Sequence, residues 1–287
     1  MRPEIHAFFD EATNTVTYLV GDPESRQAAV IDPVLDYEPA AGKISTASAD
    51  AVADAADRAG LKIVAILETH AHADHLSGAQ RLKELTGAPV AIGAAIGATQ
   101  KLFAPRFDAR DVKPDGSAFD RLLNDGDTVE VGAMTIAAMH TPGHTGACMT
   151  YLAGDAAFVG DTVFMPDFGT ARTDFPGGDA RTLYRSIRRI LALPPETRLF
   201  VGHDYKPDGR DEFGWEASVA EHRATNIHVR DGIGEDEFVA MREARNRTLA
   251  PPRLILPSLQ VNIRAGHLPP ADPDGTIRLR IPLTIAA

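Results

Sequence analysis

Four side chains able to ligate a metal, His70, His72, Asp74 and His75, fall within six residues of the run Thr69-His70-Ala71-His72-Ala73-Asp74-His75. Imidazole and carboxylate in combination suit zinc, iron or manganese. The chain has one cysteine, Cys148, so a thiolate set, a cysteine-held iron–sulfur cluster and an intrachain disulfide are all excluded. Three more candidates stand further along, each after a glycine: Gly143-His144, Gly160-Asp161 and Gly202-His203. Glycine beside a ligand lets the backbone approach closely. A lone histidine after a strand is usually a capping or solvated residue, and Asp161 alone reads as a turn or N-cap aspartate. His6 and His140 stay in that class. Four candidates on one short loop, followed by three at later strand ends, have few purely structural explanations, so metal binding is the expected chemistry.

The elements that must position these residues are also legible. Ile63-Val64-Ala65-Ile66-Leu67 is apolar at every position, the signature of a strand buried on both faces. It runs straight into the histidine cluster. Leu76, Ala79, Leu82 and Leu85 then recur at helical spacing until Gly87. The cluster is thus expected on a strand-to-helix loop, where sites in layered α/β folds sit. Upstream, Thr15–Val20 and Ala28–Ile31 read as strands. A helix follows from about Ser48, with Val52, Ala55, Ala56 and Ala59 as its apolar stripe and Gly60 as its cap. Downstream, Thr128–Val131 pairs with Met134–Met139, and Ala147–Leu152 with Ala156–Val159 about a Gly154-Asp155 turn. Asp179 caps a helix carrying Leu183, Ile187 and Ile190. Leu199-Phe200-Val201 is a further strand, ending in Gly202-His203-Asp204-Tyr205.

Residues from about 213 to 248 read as two helices broken near Asp231-Gly232. The Pro-rich remainder offers one alternating strand candidate, Thr276–Ile281. The segments Asp36–Ala47 and Ala104–Ala118 read as ordered surface insertions or a lid. The expectation is one α/β domain over residues 1–287 with a C-terminal helical extension from about 213. Apolar residues make up 44% and charged residues 24% of the 287, an ordinary globular composition. A net charge of −11 disfavours nucleic acid as a partner. No apolar run reaches the roughly 18 residues a membrane span needs. The start, Met1–His6, lacks the basic and apolar stretches of a signal peptide. A reducing cytoplasm is therefore expected, with Cys148 in a packed strand rather than in chemistry.

The run Thr69–His75 resembles the THxHxDH hallmark of the metallo-β-lactamase superfamily. His144, Asp161 and His203 match that superfamily's remaining ligand positions in order, over about residues 14–230. The resemblance implies a four-layer αββα sandwich with the metal site at one rim of two facing sheets. Within the superfamily, several words stand together: Val30-Ile31-Asp32-Pro33-Val34, the histidine run itself, Gly169-Thr170-Ala171-Arg172-Thr173-Asp174-Phe175, Thr182–Ser186 and Gly202–Tyr205. This set looks like the persulfide dioxygenases, the family of the ethylmalonic encephalopathy protein and its bacterial β-lactamase hydrolase-like relatives. Glyoxalase II, the nearest competitor, typically has a tryptophan where Ala73 stands.

The family resemblance implies one Fe(II) per chain held by His70, His144 and Asp161. His72, Asp74, His75 and His203 would then orient those ligands from outside. Zinc or a binuclear centre stays open as an alternative, because all seven positions are filled. The implied reaction joins O₂ to the outer sulfur of glutathione persulfide, or of a related small persulfide, and releases sulfite and thiol. His203 and Tyr205 are the candidate catalytic groups, and Arg172, Tyr205 and His228 the candidate substrate contacts. Animal members carry a glutathione-binding arginine near the place of His228 and its neighbours Asn226 and Ile227. Family members often form homodimers or higher assemblies, and a homo-oligomer is expected here on that basis. The competing expectation is a binuclear thioester hydrolase of the glyoxalase II type.

Overall fold

Lys62–Leu67 lies inside a six-stranded sheet, which explains its unbroken apolar run. The computed structural model describes residues 2–284. In this sheet the strand order is Glu4–Asp10, Thr15–Gly21, Gln27–Ile31, Lys62–Leu67, Val90–Gly93 and Arg121–Leu123. The first three strands are antiparallel and the rest parallel. A second six-stranded sheet takes Thr128–Val131, Met134–His140, Met149–Ala153, Ala156–Gly160, Arg198–Val201 and Glu216–Ser218 in that order. Only Ala156–Gly160 and Arg198–Val201 run parallel in it.

Side-chain alternation assigns the layers. Val16, Tyr18 and Val20 point inward and meet Ile136, Tyr151, Phe158 and Phe200 of the other sheet. Leu19, Val30, Ile63 and Ile66 point the other way, onto Val52 and Ala56 of helix Ala47–Ala59 and Leu82 of helix Ala79–Thr86. The second sheet turns Ala157, Val159, Leu199 and Val201 onto Leu183, Ile187 and Ile190 of helix Ala180–Ile190. Phe238 of helix Glu235–Asn246 joins that cluster. The result is an α/β fold of four layers, helix–sheet–sheet–helix. Each fully buried aliphatic chain contributes about 1.5–3 kcal/mol to holding the sheets together. Asp179 caps its helix through a hydrogen bond accepted from the Thr182 N–H, and Gly60 and Gly87 end theirs in the left-handed conformation, as their positions foretell.

The C-terminal third departs from the sequence reading. Before the helices Val219–Thr225 and Glu235–Asn246, Glu216–Ser218 adds an edge strand to the second sheet. Thr276–Ile281 forms no strand: Ile277 and Ile281 are exposed, while Leu279 packs on Leu35, Leu76 and Val261. The Gln260 side chain instead accepts from the Arg280 N–H and donates to the Arg280 carbonyl. Ile255–Asn262 is a helix despite Pro257, which sits in the first turn where an N–H has no helical partner to lose. Both insertions are ordered, and the first lies beside His75. Val34–Glu38 pairs with Lys43–Ser45 and with Leu76–Ser77. Phe103, Ala104, Phe107 and Ala109 pack on Leu259 and Ile263. Among the described residues no helix is long and apolar enough to cross a membrane.

Candidate metal centre

The histidine loop leaves the end of Lys62–Leu67 and is fixed by the backbone on both sides. Glu68 N–H donates to the Ala91 carbonyl and Met149 N–H to the Thr69 carbonyl. Tyr151 donates its hydroxyl to the Glu68 carbonyl. Gly160, with φ +49°, lets Thr69 come close: a Cβ there would lie 2.6 Å from Thr69 Oγ1. Asp161, next in the chain, is thereby brought up to the loop.

The structure brings His70, His144 and Asp161 together, with one ligand atom from each lying within 4.8 Å of the others. His70 Nε2 is 3.8 Å and His144 Nε2 3.7 Å from Asp161 Oδ2. The far side of each imidazole is anchored. Asp32 accepts from the Thr69 N–H and hydroxyl, and Thr69 Oγ1 in turn stands 3.0 Å from His70 Nδ1. With its hydroxyl proton committed to Asp32, Thr69 accepts from His70 Nδ1–H. His144 Nδ1–H donates to the Arg172 carbonyl at 2.8 Å, and His203 Nδ1–H to the Asn14 carbonyl at 3.0 Å. For His70 and His144 this leaves the Nε2 lone pair free and facing the centre, the arrangement of an anchored metal ligand.

Electrostatics agrees. Burial, with His72 beside it, pushes His70 well below the ordinary imidazole range, so it is neutral. Burial likewise lowers His144. Burial alone would raise Asp161, but His203, His70 and His144 hold its carboxyl below the usual range. Burial also opposes a charge on His203, yet Asp161 and Asp74 outweigh it and raise that imidazole to about 9. His70 Nε2 and Asp161 Oδ1 are buried with no hydrogen-bond partner. Buried polar atoms are rarely left so, and a divalent cation would supply the missing partner. The donor set therefore fits a metal.

His72 behaves differently. Its Nε2 lies 3.0 Å from Asp32 Oδ1 and 3.5 Å from Glu68 Oε2. It groups with those carboxylates, or with Asp74 and His75, rather than with His70 and His144. His203 faces Asp161 Oδ1 at 3.3 Å and Asp74 Oδ2 at 3.4 Å, so a second convergent group, Asp74, Asp161 and His203, abuts the first.

A cavity of about 480 Å³ opens onto the site. Asp74, His144, Asp161 and Ala73 line its inner end, Phe164, Phe168, Phe175 and Tyr205 its sides. Tyr205 stacks on Phe168 at 4.8 Å and on His203 at 5.6 Å. Arg172 also lines the cavity, but its guanidinium is already engaged. Nε and Nη2 donate to the two oxygens of Asp174, and Nη1 to the Ala250 carbonyl, all at 2.7 Å. His228 does not line the cavity, contrary to its expected contact with substrate. It lies buried behind the wall, where Nδ1 accepts from the Thr170 N–H. Gly169 makes room for it: a Cβ there would lie 2.1 Å from His228 Nδ1. The sequence reading missed Arg242, Arg245 and Arg253, which line the outer end.

Burial, joined for His228 by Arg242 and Arg245, lowers His222 and His228 to about 4 each from an ordinary 6.5. Both are neutral in the folded chain down to about pH 4, whereas the unfolded chain takes up protons near pH 6.5. The stability they confer is complete above pH 6.5 and is lost as the pH falls toward 4. The melting temperature should therefore drop between pH 7 and pH 5, and His222→Gln should drop less. Equal drops in parent and variant would show that this histidine is not responsible.

Cys148 is buried, and burial pushes its thiol up to about 12 although Thr145 donates to it. A thiol held so is a poor nucleophile. The native protein should resist iodoacetamide until it is unfolded, and Cys148→Ala should keep its turnover. Alkylation of the native protein at the rate of a free thiol would contradict this.

Residues 11–203 match the metallo-β-lactamase superfamily. A probable metallo-hydrolase of Burkholderia pseudomallei is 52% identical over 97% of this chain and 98% of its own length. A β-lactamase hydrolase-like protein of Agrobacterium fabrum is 50% identical over 99% of the chain, which spans only 65% of that protein. The human mitochondrial persulfide dioxygenase ETHE1 is 31% identical over 91% of the chain and 88% of its own length. Among solved structures, ETHE1 from Myxococcus xanthus superposes with a TM-score of 0.74 at 32% identity, covering 92% of this chain and all of that one. On its sequence, its layers and its ligand geometry, the chain belongs to the metallo-β-lactamase superfamily.

Proposed function

We propose that this enzyme is an iron-dependent persulfide dioxygenase. It takes glutathione persulfide or a related small persulfide, O₂ and water, and yields sulfite and the free thiol. The observation that carries this reading is the convergence of two histidines and one carboxylate, His70, His144 and Asp161, a group that His72 does not join. A two-histidine, one-carboxylate set is the usual cradle of a mononuclear non-haem Fe(II). The 31% identity to the human persulfide dioxygenase supports it. Fe(II) bound there supplies one-electron chemistry and open positions for a sulfur anion and O₂.

The chain's own residues do the rest. Asp32 through Thr69, and the carbonyl of Arg172, hold His70 and His144 in one tautomer, and the Asn14 carbonyl orients His203. Phe164, Phe168 and Phe175 wall the cavity against bulk water. The Arg172–Asp174 pair stiffens the loop whose carbonyl anchors His144, and Phe175 lies beneath the Arg172 guanidinium at 4.9 Å. Tyr205 lines the cavity beside His203, and His203 offers a proton donor next to Asp161.

A second reading, a binuclear thioester hydrolase, is favoured by the adjacent Asp74–Asp161–His203 group and by the hydrolase names of the more similar relatives. Protein purified without oxygen should hold about one iron per chain and consume O₂ when given glutathione persulfide. Two metals per chain with oxygen-independent cleavage of lactoylglutathione would overturn the dioxygenase reading in favour of the hydrolase.

A further inference from the structure

We propose that Arg242, Arg245 and Arg253 form an oxyanion subsite at the outer end of the cavity, which holds the charged tail of the thiol substrate while its sulfur reaches the metal. The inference rests on the reading of a small thiol persulfide as substrate and names the part of the chain that selects it.

The two ends of the cavity differ in charge. The inner end carries Asp74, His144 and Asp161, groups taken up by the metal site. The outer end carries Arg242, Arg245 and Arg253 from helix Glu235–Asn246 and the segment after it. Asp174 is the nearby carboxylate, and both its oxygens are taken by Arg172. In a chain of net charge −11, most arginines lie within 4.0 Å of a carboxylate, yet among the described residues these three have no such ion pair.

Arg242 is the second, independent observation. Only 1% of it is exposed. Its Nη1 donates to the Thr170 carbonyl and its Nε to Asn246 Oδ1, both at 2.9 Å. Its Nη2 is buried with no partner, although the residue lines the cavity. A buried guanidinium with one unused N–H edge is a preorganised seat for an oxyanion. Arg245, over the Phe168 ring at 5.9 Å, and Arg253 flank that seat from the exposed side. Arg172, the expected contact, already donates from each of its three nitrogens, to Asp174 and the Ala250 carbonyl. The cavity is of the size that small-molecule ligands occupy, and a peptide thiol has carboxylates a few bonds from its sulfur.

The shared chemistry is an oxyanion, and a carboxylate and a phosphate are its two sources. Calorimetry on the metal-loaded protein separates them with three unreactive thioethers: S-methylglutathione, S-methyl-4′-phosphopantetheine and the uncharged S-methylpantetheine. Arg245→Gln and Arg253→Gln alter exposed side chains without ion pairs, so the double variant should fold. It should bind S-methylglutathione about tenfold more weakly, with S-methylpantetheine unchanged. The same loss seen with the phosphate ligand and not with glutathione upholds the subsite and assigns it to a phosphorylated thiol. Arg242→Lys, which keeps the charge but loses the fork, should weaken the anion as well. Equal binding of all three ligands by parent and double variant, or binding of no anion by the parent, overturns the subsite. Arginine-dependent binding in a protein that takes up no O₂ with any persulfide upholds the subsite and removes the dioxygenase reading instead. With turnover present, the double variant should show the change in KM rather than in kcat.

Discussion

His144→Ala should strip the metal and, with it, the O₂ uptake. His144 is one of three residues whose ligand atoms converge, and it comes from a loop separate from those of His70 and Asp161. Removing it leaves two donors and an imidazole-sized gap open to the cavity. An outer residue that only orients a ligand costs about 10–100-fold in metal affinity, and the loss of a ligand itself should exceed about 100-fold. Iron per chain, measured after dialysis, should fall to background. The control is His72→Asn. His72 faces Asp32 and Glu68, so its loss should weaken metal binding as an outer group does and leave iron measurable. Should His72→Asn shed its metal as completely as His144→Ala, the mononuclear assignment would fail and a binuclear centre would take its place.

The contrast between His144 and His72 also marks what could be read from the sequence. That seven residues are able to ligate follows from their types and from their places after strands. The apolar run Ile63–Leu67 needs no partner to announce a strand buried on both faces, and Gly160 beside Asp161 announces a close approach. Which way a ring turns is set by contacts across the chain. His72 turns toward Asp32, forty positions upstream, and nothing in the local run says so. Arg172 illustrates the same limit from the other side. An arginine near a cavity is a natural anion ligand until its fork is found closed on Asp174 and the Ala250 carbonyl. The alternation at Thr276–Ile281 is a real pattern that pairs with no strand. A strand needs its neighbour as well as its sequence.

Asn262→Ala should loosen the histidine loop from a distance. Asn262 ends the helix Ile255–Asn262, 190 residues from His72 in sequence, and it is buried. Its amide donates to the carbonyls of His72 and His75, both at 2.8 Å, and its oxygen accepts from the Ser77 N–H at 2.9 Å. One side chain thus satisfies three backbone groups of the loop that carries His70. Alanine would leave all three buried and unpaired, at about 1–3 kcal/mol each before relaxation. We expect a net loss of about 3 kcal/mol, read as a melting temperature lower by roughly 6–10 °C. Metal affinity should fall as well, because the loop would no longer fix the placement of His70. Asn262→Asp is the sharper variant. It keeps an acceptor for Ser77 but sets a carboxylate oxygen against two carbonyls, so it should be as damaging as alanine even though it is isosteric. If both variants kept the parent's melting temperature and iron content, the helix would be packing against the loop without holding it. Losses in both would mean that the metal loop depends on a segment beyond the residues that carry the ligands.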